Sequence, residues 1–408
     1  MNTKSGNSNP LNIVVIVAAL GYFVDIYDLT LFGIVRDSSL AAIGIPANGI
    51  KDSGVFLLNM QMFGMLLGGI VWGILGDKKG RLSTLFLTIL LYSLANIANG
   101  FVQNIEQYAV LRIIAGFGLA GELGIGITLV SEVMTKETRA WGTSIVSAVG
   151  IAGAVLAFLV AEWGWKQAYW IGGGLGLALL ALRVYVNESG MFDKIKESSA
   201  KRGNFLSLFT NKKRFFKYIC CILVGVPVWY VVGILIFFSK EFALALHVTG
   251  PVTNGKSIMY HYMGAAIGSM ITGYISQKLK SRRKALVIAI SMLAIFCAWY
   301  FVSDGITPIN FYIIAFALGL AMGYWAVFIT VASEQFGTNI RSTVTTTVPN
   351  FVRGATVLMT MWWTSMSPGM GILQSAIIVG VVVIPVAIGS VFFLEESHGK
   401  NLDYIEEY

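Results

Sequence analysis

The sequence predicts an all-α membrane protein: twelve transmembrane helices in two pseudo-symmetric six-helix bundles. Three observations carry that expectation. Of 408 residues, 56% are hydrophobic and only 12% charged, with a mean hydropathy of +0.73, whereas soluble domains carry about 25% charged residues. The apolar residues gather into runs near the ~20 residues needed to cross a bilayer. The second half of the chain also repeats features of the first at a fixed offset.

Apolar runs between charged or Gly/Pro-marked breaks place the spans at 12–34, 54–76, 82–101, 107–131, 139–162, 167–186, 216–239, 257–277, 284–302, 309–333, 341–366 and 371–394. The first run is expected to be a span and not a cleaved leader, because Lys4 is its only basic flank and it holds two Asp. Orientation follows from the cations. Of the 29 Lys and Arg, only Arg36, Lys51, Lys166, Lys240 and Lys256 fall on one side of the membrane, and Arg112 and Arg353 lie inside spans. The rest share the other side, which the positive-inside rule makes cytoplasmic, with both termini. The expected setting is a bacterial inner (plasma) membrane.

The stretch Asn187 to Lys217 splits the spans six and six. That gives an N-terminal bundle at 1–186, a cytoplasmic linker at 187–215 lying near the anionic leaflet, a C-terminal bundle at 216–394 and a tail at 395–408. The net charge of +8 therefore serves topology, and no nucleic-acid partner is expected. Cys220, Cys221 and Cys297 lie in apolar runs and the three His are scattered, so no disulfide or metal framework is implied. Without a phosphate-cradling Gly-Lys-Ser/Thr loop, no cofactor and no enzymatic activity are expected.

The repeat is legible in two loops. Ser131-Glu132-Val133-Met134-Thr135-Lys136-Glu137-Thr138-Arg139 and Ser333-Glu334-Gln335-Phe336-Gly337-Thr338-Asn339-Ile340-Arg341 stand 202 residues apart, and the same shift carries Arg81 to Arg283. One offset fitting two loops argues duplication about an axis along the membrane normal, with the site near the midplane between the halves.

Within this frame a family resemblance appears. Gly73-Ile74-Leu75-Gly76-Asp77-Lys78-Lys79-Gly80-Arg81 resembles the loop signature of the major facilitator superfamily, G-x-x-x-D-R-x-G-R-R, with Lys78 and Leu82 replacing the first and last Arg. Span four runs from Arg112 through Gly116 and Gly121 to Glu122, similar to the R-x-x-x-G-x-x-x-G-G-E pattern of the metabolite:proton symporter branch. Asp25-Ile26-Tyr27-Asp28 in the first helix and the Trp163-Gly164-Trp165 turn fit that branch too. The resemblance implies the major facilitator fold and alternating access by two rocking bundles. It also implies a cytoplasmic gate: Asp77, Gly80 and Arg81 beside Glu132 and Arg139, mirrored by Arg283, Glu334 and Arg341. Proton-driven exporters of the superfamily carry Gly-Pro in span five, which here has Gly150 and Gly153 but no proline.

Ionisable residues deep in a span cost about 2.5–3.5 kcal/mol on insertion scales, so they need a partner or a purpose. Asp25, Asp28, Arg112, Glu122 and Arg353 are such residues. The 202-residue shift sets Pro227, Tyr230, Ile314 and Tyr324 opposite the first four, so titratable groups fill one half and aromatics the other. Asp25 and Asp28 share a helix face and cannot easily both ionise in a low dielectric. At ~1.5 Å per residue, Asp28 and Arg112 reach similar depth and are placed to form a breakable ion pair. Glu122, on the inner side of centre, would continue a proton path. Arg353 offers a planar fork of donors to a substrate carboxylate or phosphate, with a bond to backbone carbonyls at a helix break near Pro349 as the structural alternative. With no acid of its own half at that depth, it is expected to face the cavity. Tyr27, Trp229, Tyr230, Tyr324 and Trp325 are the candidate pocket aromatics. Helix packing by ion pairs alone is the competing account of the charges.

The function expected is therefore secondary active transport: proton-coupled uptake of a small polar metabolite, an organic acid or an amino acid, by a monomer in the lipid bilayer. Asp25, Asp28 and Glu122 would handle the proton, and Arg112 and Arg353 the substrate. A uniporter or exporter on the same fold and a membrane sensor built on a transporter scaffold are the rival readings. The short linker and tail, with no effector domain, count against the sensor.

Overall fold

A computed structural model describes residues 13–79, 81–124, 126, 130, 134, 139–183, 205–400 and 405. Every element among them is helical. The first half holds α1 (Ile13–Ala42), α2 (Ile50–Lys79), α3 (Arg81–Asn99), α4 (Ile105–Leu119), α5 (Arg139–Ile151), α6 (Gly153–Ala161) and α7 (Trp165–Arg183). The second holds α8 (Ser207–Thr210), α9 (Lys212–Tyr230), α10 (Ser239–Ala245), α11 (Asn254–Lys278), α12 (Arg282–Val302), α13 (Pro308–Met322), α14 (Trp325–Glu334) and α15 (Arg341–Phe393).

By length and composition, six helical segments among the described residues are apolar enough to cross a membrane. The last, Thr343–Phe393, has 51 residues and at ~1.5 Å per residue is long enough for two crossings. It bends at Gly371, whose φ of 83° belongs to the region glycine enters freely. α5 with α6, and α13 with α14, each form one crossing with an internal break, so the helices fall into the twelve-helix arrangement the sequence predicts. Leu87, Val110, Ile267, Ile295 and Phe392 are exposed apolar residues on the perimeter. Such a surface is a liability in water but is the natural exterior in hydrocarbon.

Local signals mark the helix ends. The Asn104 side chain accepts from the Gln107 N–H at 2.8 Å and starts α4, and Asn211 does the same for α9 through Lys213 at 2.9 Å. Pro227 removes one donor from α9, and four residues on the chain winds as a π-helical turn, Val231–Ile236. The halves meet along two seams, where α2 lies against α15 and α11 against α5 and α6. Two boundaries depart from expectation. α1 continues past residue 34 to Ala42 and carries Arg36 and Asp37 on the helix itself, and Arg183, counted among the loop cations, is buried at the end of α7.

Candidate functional site

The centre of the molecule is built around Arg353 of α15. It is buried, and its Nη1 donates to Asn350 Oδ1 one turn earlier at 3.3 Å. The guanidinium lies 5.9 Å from the Trp229 ring and 5.9 Å from the Trp325 ring, within cation–π range of both. Trp229 follows Pro227 in α9, and Trp325 opens α14 after the break in its crossing. The acid expected to be missing arrives from the other half: Asp25 Oδ2 of α1 stands 3.9 Å from Arg353 Nη2. Neither Asp25 oxygen has a hydrogen-bond partner, so the two groups face each other without a directed bond.

Tyr22, Ile26, Leu29, Trp229, Tyr262, Met322 and Trp325 enclose a cavity of about 10 Å³ beside Arg353. That is room for roughly one water. Tyr22 and Tyr262 escaped the sequence reading, although Tyr22 sits one turn before Asp25 on the same helix face, a usable signal. Trp229 and Trp325 are where they were expected. Tyr27, Tyr230 and Tyr324 are not: their hydroxyls donate to Ala168 O at 2.8 Å, Ala376 O at 2.8 Å and Val224 O at 3.0 Å. Each is committed to packing inside its own half.

The expected Asp28–Arg112 bond is likewise not formed. Arg112 donates to Gln61 Oε1 and its guanidinium lies 4.7 Å over the Phe32 ring. Asp25 turns to the seam, whereas Asp28 turns into the first half, toward Asn96. Glu122 is gripped by Arg183 of α7, both at 1% side-chain exposure. Arg183 is thus an intramembrane cation that the sequence reading counted as a loop charge.

The end that carries Asp77 is shut by polar contacts across the seam. Asp77 Oδ2 accepts from the Thr343 N–H at 2.7 Å and the Thr343 hydroxyl at 2.5 Å, and Asn350 Nδ2 donates to Ala120 O at 2.7 Å. Gly80 and Glu132 lie outside the described residues, as do the side chains of Arg81 and Arg139. In the mirror cluster Arg282, not Arg283, meets Glu334, at 3.4 Å. Ser281 caps α12, which turns Arg282 inward while Arg283 points out and donates to Phe392 O at 2.9 Å. Arg341 donates to Ser333 O at 3.2 Å.

The tail braces this end. Glu396 accepts from Ser281 Oγ and from the N–H groups of Arg282 at 2.8 Å and Arg283 at 3.4 Å. Burial pushes its carboxyl up, but the Ser281 hydroxyl and the backbone donors outweigh it and hold the group below the usual range. Glu395 is also held low, by the Lys400 ammonium first and then by Lys217.

The opposite end is closed by charge. Buried Arg36 of α1 donates to Glu241 Oε1 of α10 at 2.5 Å and to Phe237 O at 3.2 Å, and its guanidinium lies 4.9 Å over the Phe238 ring. Beside it Lys240 Nζ meets Asp37 Oδ2 at 2.6 Å. Farther along the seam Thr360 donates to Asn59 Oδ1 at 2.8 Å. Among the described residues, polar contacts thus cross the seam at both ends, and the space beside Arg353 is small.

Over residues 11–357 the chain matches the sequence profile described as Major Facilitator Superfamily. A protein of Cupriavidus pinatubonensis described as a probable 4-methylmuconolactone transporter is 26% identical over 339 residues, 79% of this chain and 76% of that protein. The 3-(3-hydroxy-phenyl)propionate transporter of Escherichia coli is 27% identical over 330 residues, 77% of this chain and 79% of its own. Among solved structures, the proton:xylose symporter XylE bound to 6-bromo-6-deoxy-D-glucose superposes with a TM-score of 0.74 at 15% identity, covering 95% of this chain and 97% of that one.

Proposed function

Since the chain belongs to the Major Facilitator Superfamily and is a transporter embedded in the membrane, we propose that its cargo is a small organic acid, taken up together with a proton. One observation carries this reading: Arg353, flanked by two indoles, is paired at the midplane with a carboxylate from the other half. Two relatives whose names specify a muconolactone and a phenylpropionate support a cargo that joins a flat apolar body to a carboxylate. Trp229, Trp325, Tyr22 and Tyr262 offer surfaces for such a body, and Arg353 offers a two-pronged grip on the carboxylate.

Charge bookkeeping then supplies the coupling. Empty, the site is neutral, with Arg353 balanced by Asp25. An entering carboxylate replaces Asp25 at Arg353 and would leave a second negative charge in a low dielectric, which costs several kcal/mol. A proton on Asp25 removes that cost, so cargo and proton bind together and leave together. Arg112 and Glu122, held by Gln61 and Arg183, support the proton side of the cycle. In this proposal the Asp77 end faces the cytoplasm of a bacterial cell, the protein works as a monomer, and residues 1–186 rock against 216–394.

The test is uptake of a labelled panel of aromatic and aliphatic carboxylates into proteoliposomes, with and without an imposed proton gradient. The expected result is accumulation of an aromatic carboxylate only while the gradient stands. Uptake indifferent to the gradient would leave a uniporter, and transport of no carboxylate would remove Arg353 as a cargo grip.

A further inference from the structure

Inside the first half, away from the central cavity, lies a column of buried polar groups that the cycle above does not use. Both oxygens of Asp28, the Tyr92 hydroxyl, Ser93 Oγ and both amide atoms of Asn96 and Asn99 are buried without a hydrogen-bond partner in the protein. All five residues have no exposed surface. Tyr92, Asn96 and Asn99 recur at helical spacing and form one stripe on α3, about 10 Å long at the rise of a helix. Asn96 faces the Asp28 carboxylate. Tyr92 lies within electrostatic reach of Asp25, Asp28, Glu122 and Arg183.

The opposing wall is α7, and it is bare where it meets the column. A Cβ on Gly172 would fall 2.5 Å from Asp28 Oδ1, and one on Gly176 would fall 2.1 Å from Ser93 Oγ. Glycine at these two positions lets the α7 backbone approach the polar atoms closely, with no side chain between them. Buried donors and acceptors left unmet are strongly unfavourable, and native proteins meet them with ordered water. The stripe ends at Asn99, the last residue of α3, at the Arg36 end of the molecule. Phe101 and Gln103 beyond it are exposed.

We propose that Ser93, Asn96 and Asn99 line a hydrated proton path within the first half, which loads Asp28 from the Arg36 end without passing through the cargo cavity. From Asp28 the proton passes to Asp25, one turn away on α1, so it reaches the central pair by a route separate from the cargo's. The groups that face Asp28 are Asp25 and Tyr27 on α1, Tyr92 and Asn96 on α3, Arg112 on α4 and Tyr169 on α7. This inference rests on the proton-coupled reading above.

Two measurements on the full chain in proteoliposomes test it. In the first, Asn96→Cys is reacted with a small water-soluble methanethiosulfonate, with Ile89→Cys, buried on the same helix, as the dry reference and the unsubstituted chain as background. Asn96→Cys should react at least tenfold faster than Ile89→Cys; equal, slow rates overturn the hydrated path. In the second, Asn96→Leu and Asn99→Leu are compared with wild type for gradient-driven uptake and for counterflow of preloaded cargo, which needs no net proton movement. An apolar side chain in place of an amide that holds the water breaks the path, and the loss should fall on gradient-driven uptake while counterflow stays near wild type. Equal loss of both makes the column a packing feature and overturns the proposal. Wild-type uptake that ignores the gradient would instead bring down the coupling reading itself, and it shows before any column variant is made.

Discussion

Arg36→Ala should unlock one end of the transporter. Three of the contacts that Arg36 makes cross between the halves: the charged bond to Glu241, the bond to Phe237 O, and the stack on Phe238. A hydrogen bond to a charged group contributes about 1.5–3 kcal/mol and a cation–π contact about 0.5–2 kcal/mol. Glu241 keeps 18% of its side chain exposed, so water takes back part of the first figure. A net loss of roughly 3 kcal/mol is reasonable, and at 1.4 kcal/mol per decade it raises the open-to-closed ratio at this end about 100-fold. The readout is the distance between spin labels at Ala47→Cys and Leu244→Cys, two exposed sites at the Arg36 end on opposite halves. Arg36→Ala should move the distribution to longer distances, and the charge swap Arg36→Glu with Glu241→Arg should bring much of it back. Asp37→Asn, which touches the exposed Lys240 pair, should shift it far less, since such pairs contribute about 1 kcal/mol or less. An Arg36→Ala distribution identical to wild type would refute the latch.

Three further outcomes follow from the same contacts. Asp25→Asn removes the charge that balances Arg353 and should abolish gradient-driven accumulation while sparing counterflow; a variant that still concentrates cargo clears Asp25 of coupling. Arg353→Lys keeps the charge but loses the fork and should weaken cargo binding about tenfold, with Arg353→Ala about 100-fold weaker or worse, as a binding titration reads; wild-type affinity for the alanine variant would make Arg353 structural. Glu396 has a lowered carboxyl, so its stabilising effect is present above the unfolded Glu value of about 4.3 and fades as pH falls through the folded value. Melting temperatures of wild type and Glu396→Gln should therefore differ at neutral pH and converge as the pH falls below the unfolded Glu range, and a gap that stays constant through acid pH would assign the effect to packing.

The crossings and the family were legible because each rests on a signal that spans many residues. Asp25 and Arg353 stood out in the sequence for a simpler reason: an ionisable group in an apolar run is conspicuous by itself. What could not be read was who meets whom. Partner choice depends on how each helix is rotated about its axis, and hydropathy carries little of that. Asp25 and Asp28 share a face by spacing yet part company, one to the seam and one to the stripe on α3. Arg36 and Arg183 lie near span ends, where long side chains can reach water, and so look like loop cations in the sequence. Both instead point inward to acids, Glu241 and Glu122. Arg282 and Arg283 differ by one position, and only the Ser281 cap decides which of them turns in.

The placement of charge explains why the two halves need not be alike. A duplicated carrier that kept an Arg–acid pair within each half could balance its charges without the halves ever meeting. Here Arg353 comes from one half and Asp25 from the other, so central neutrality is itself a contact across the seam. The same holds at the Arg36 end, where the cation and Glu241 again belong to opposite halves, and at the Asp77 end, where Asp77 takes its hydrogens from Thr343 across the seam. Polar contacts across the seam at the centre and at both ends hold this form together, and no single one is strong enough to trap it. In the proposed cycle, a cargo carboxylate and a proton together substitute for the central contact and leave the end contacts to compete. Opening one end then requires only the loss of its own latch, a few kcal/mol, which is the scale on which a carrier can move between states at ordinary temperature.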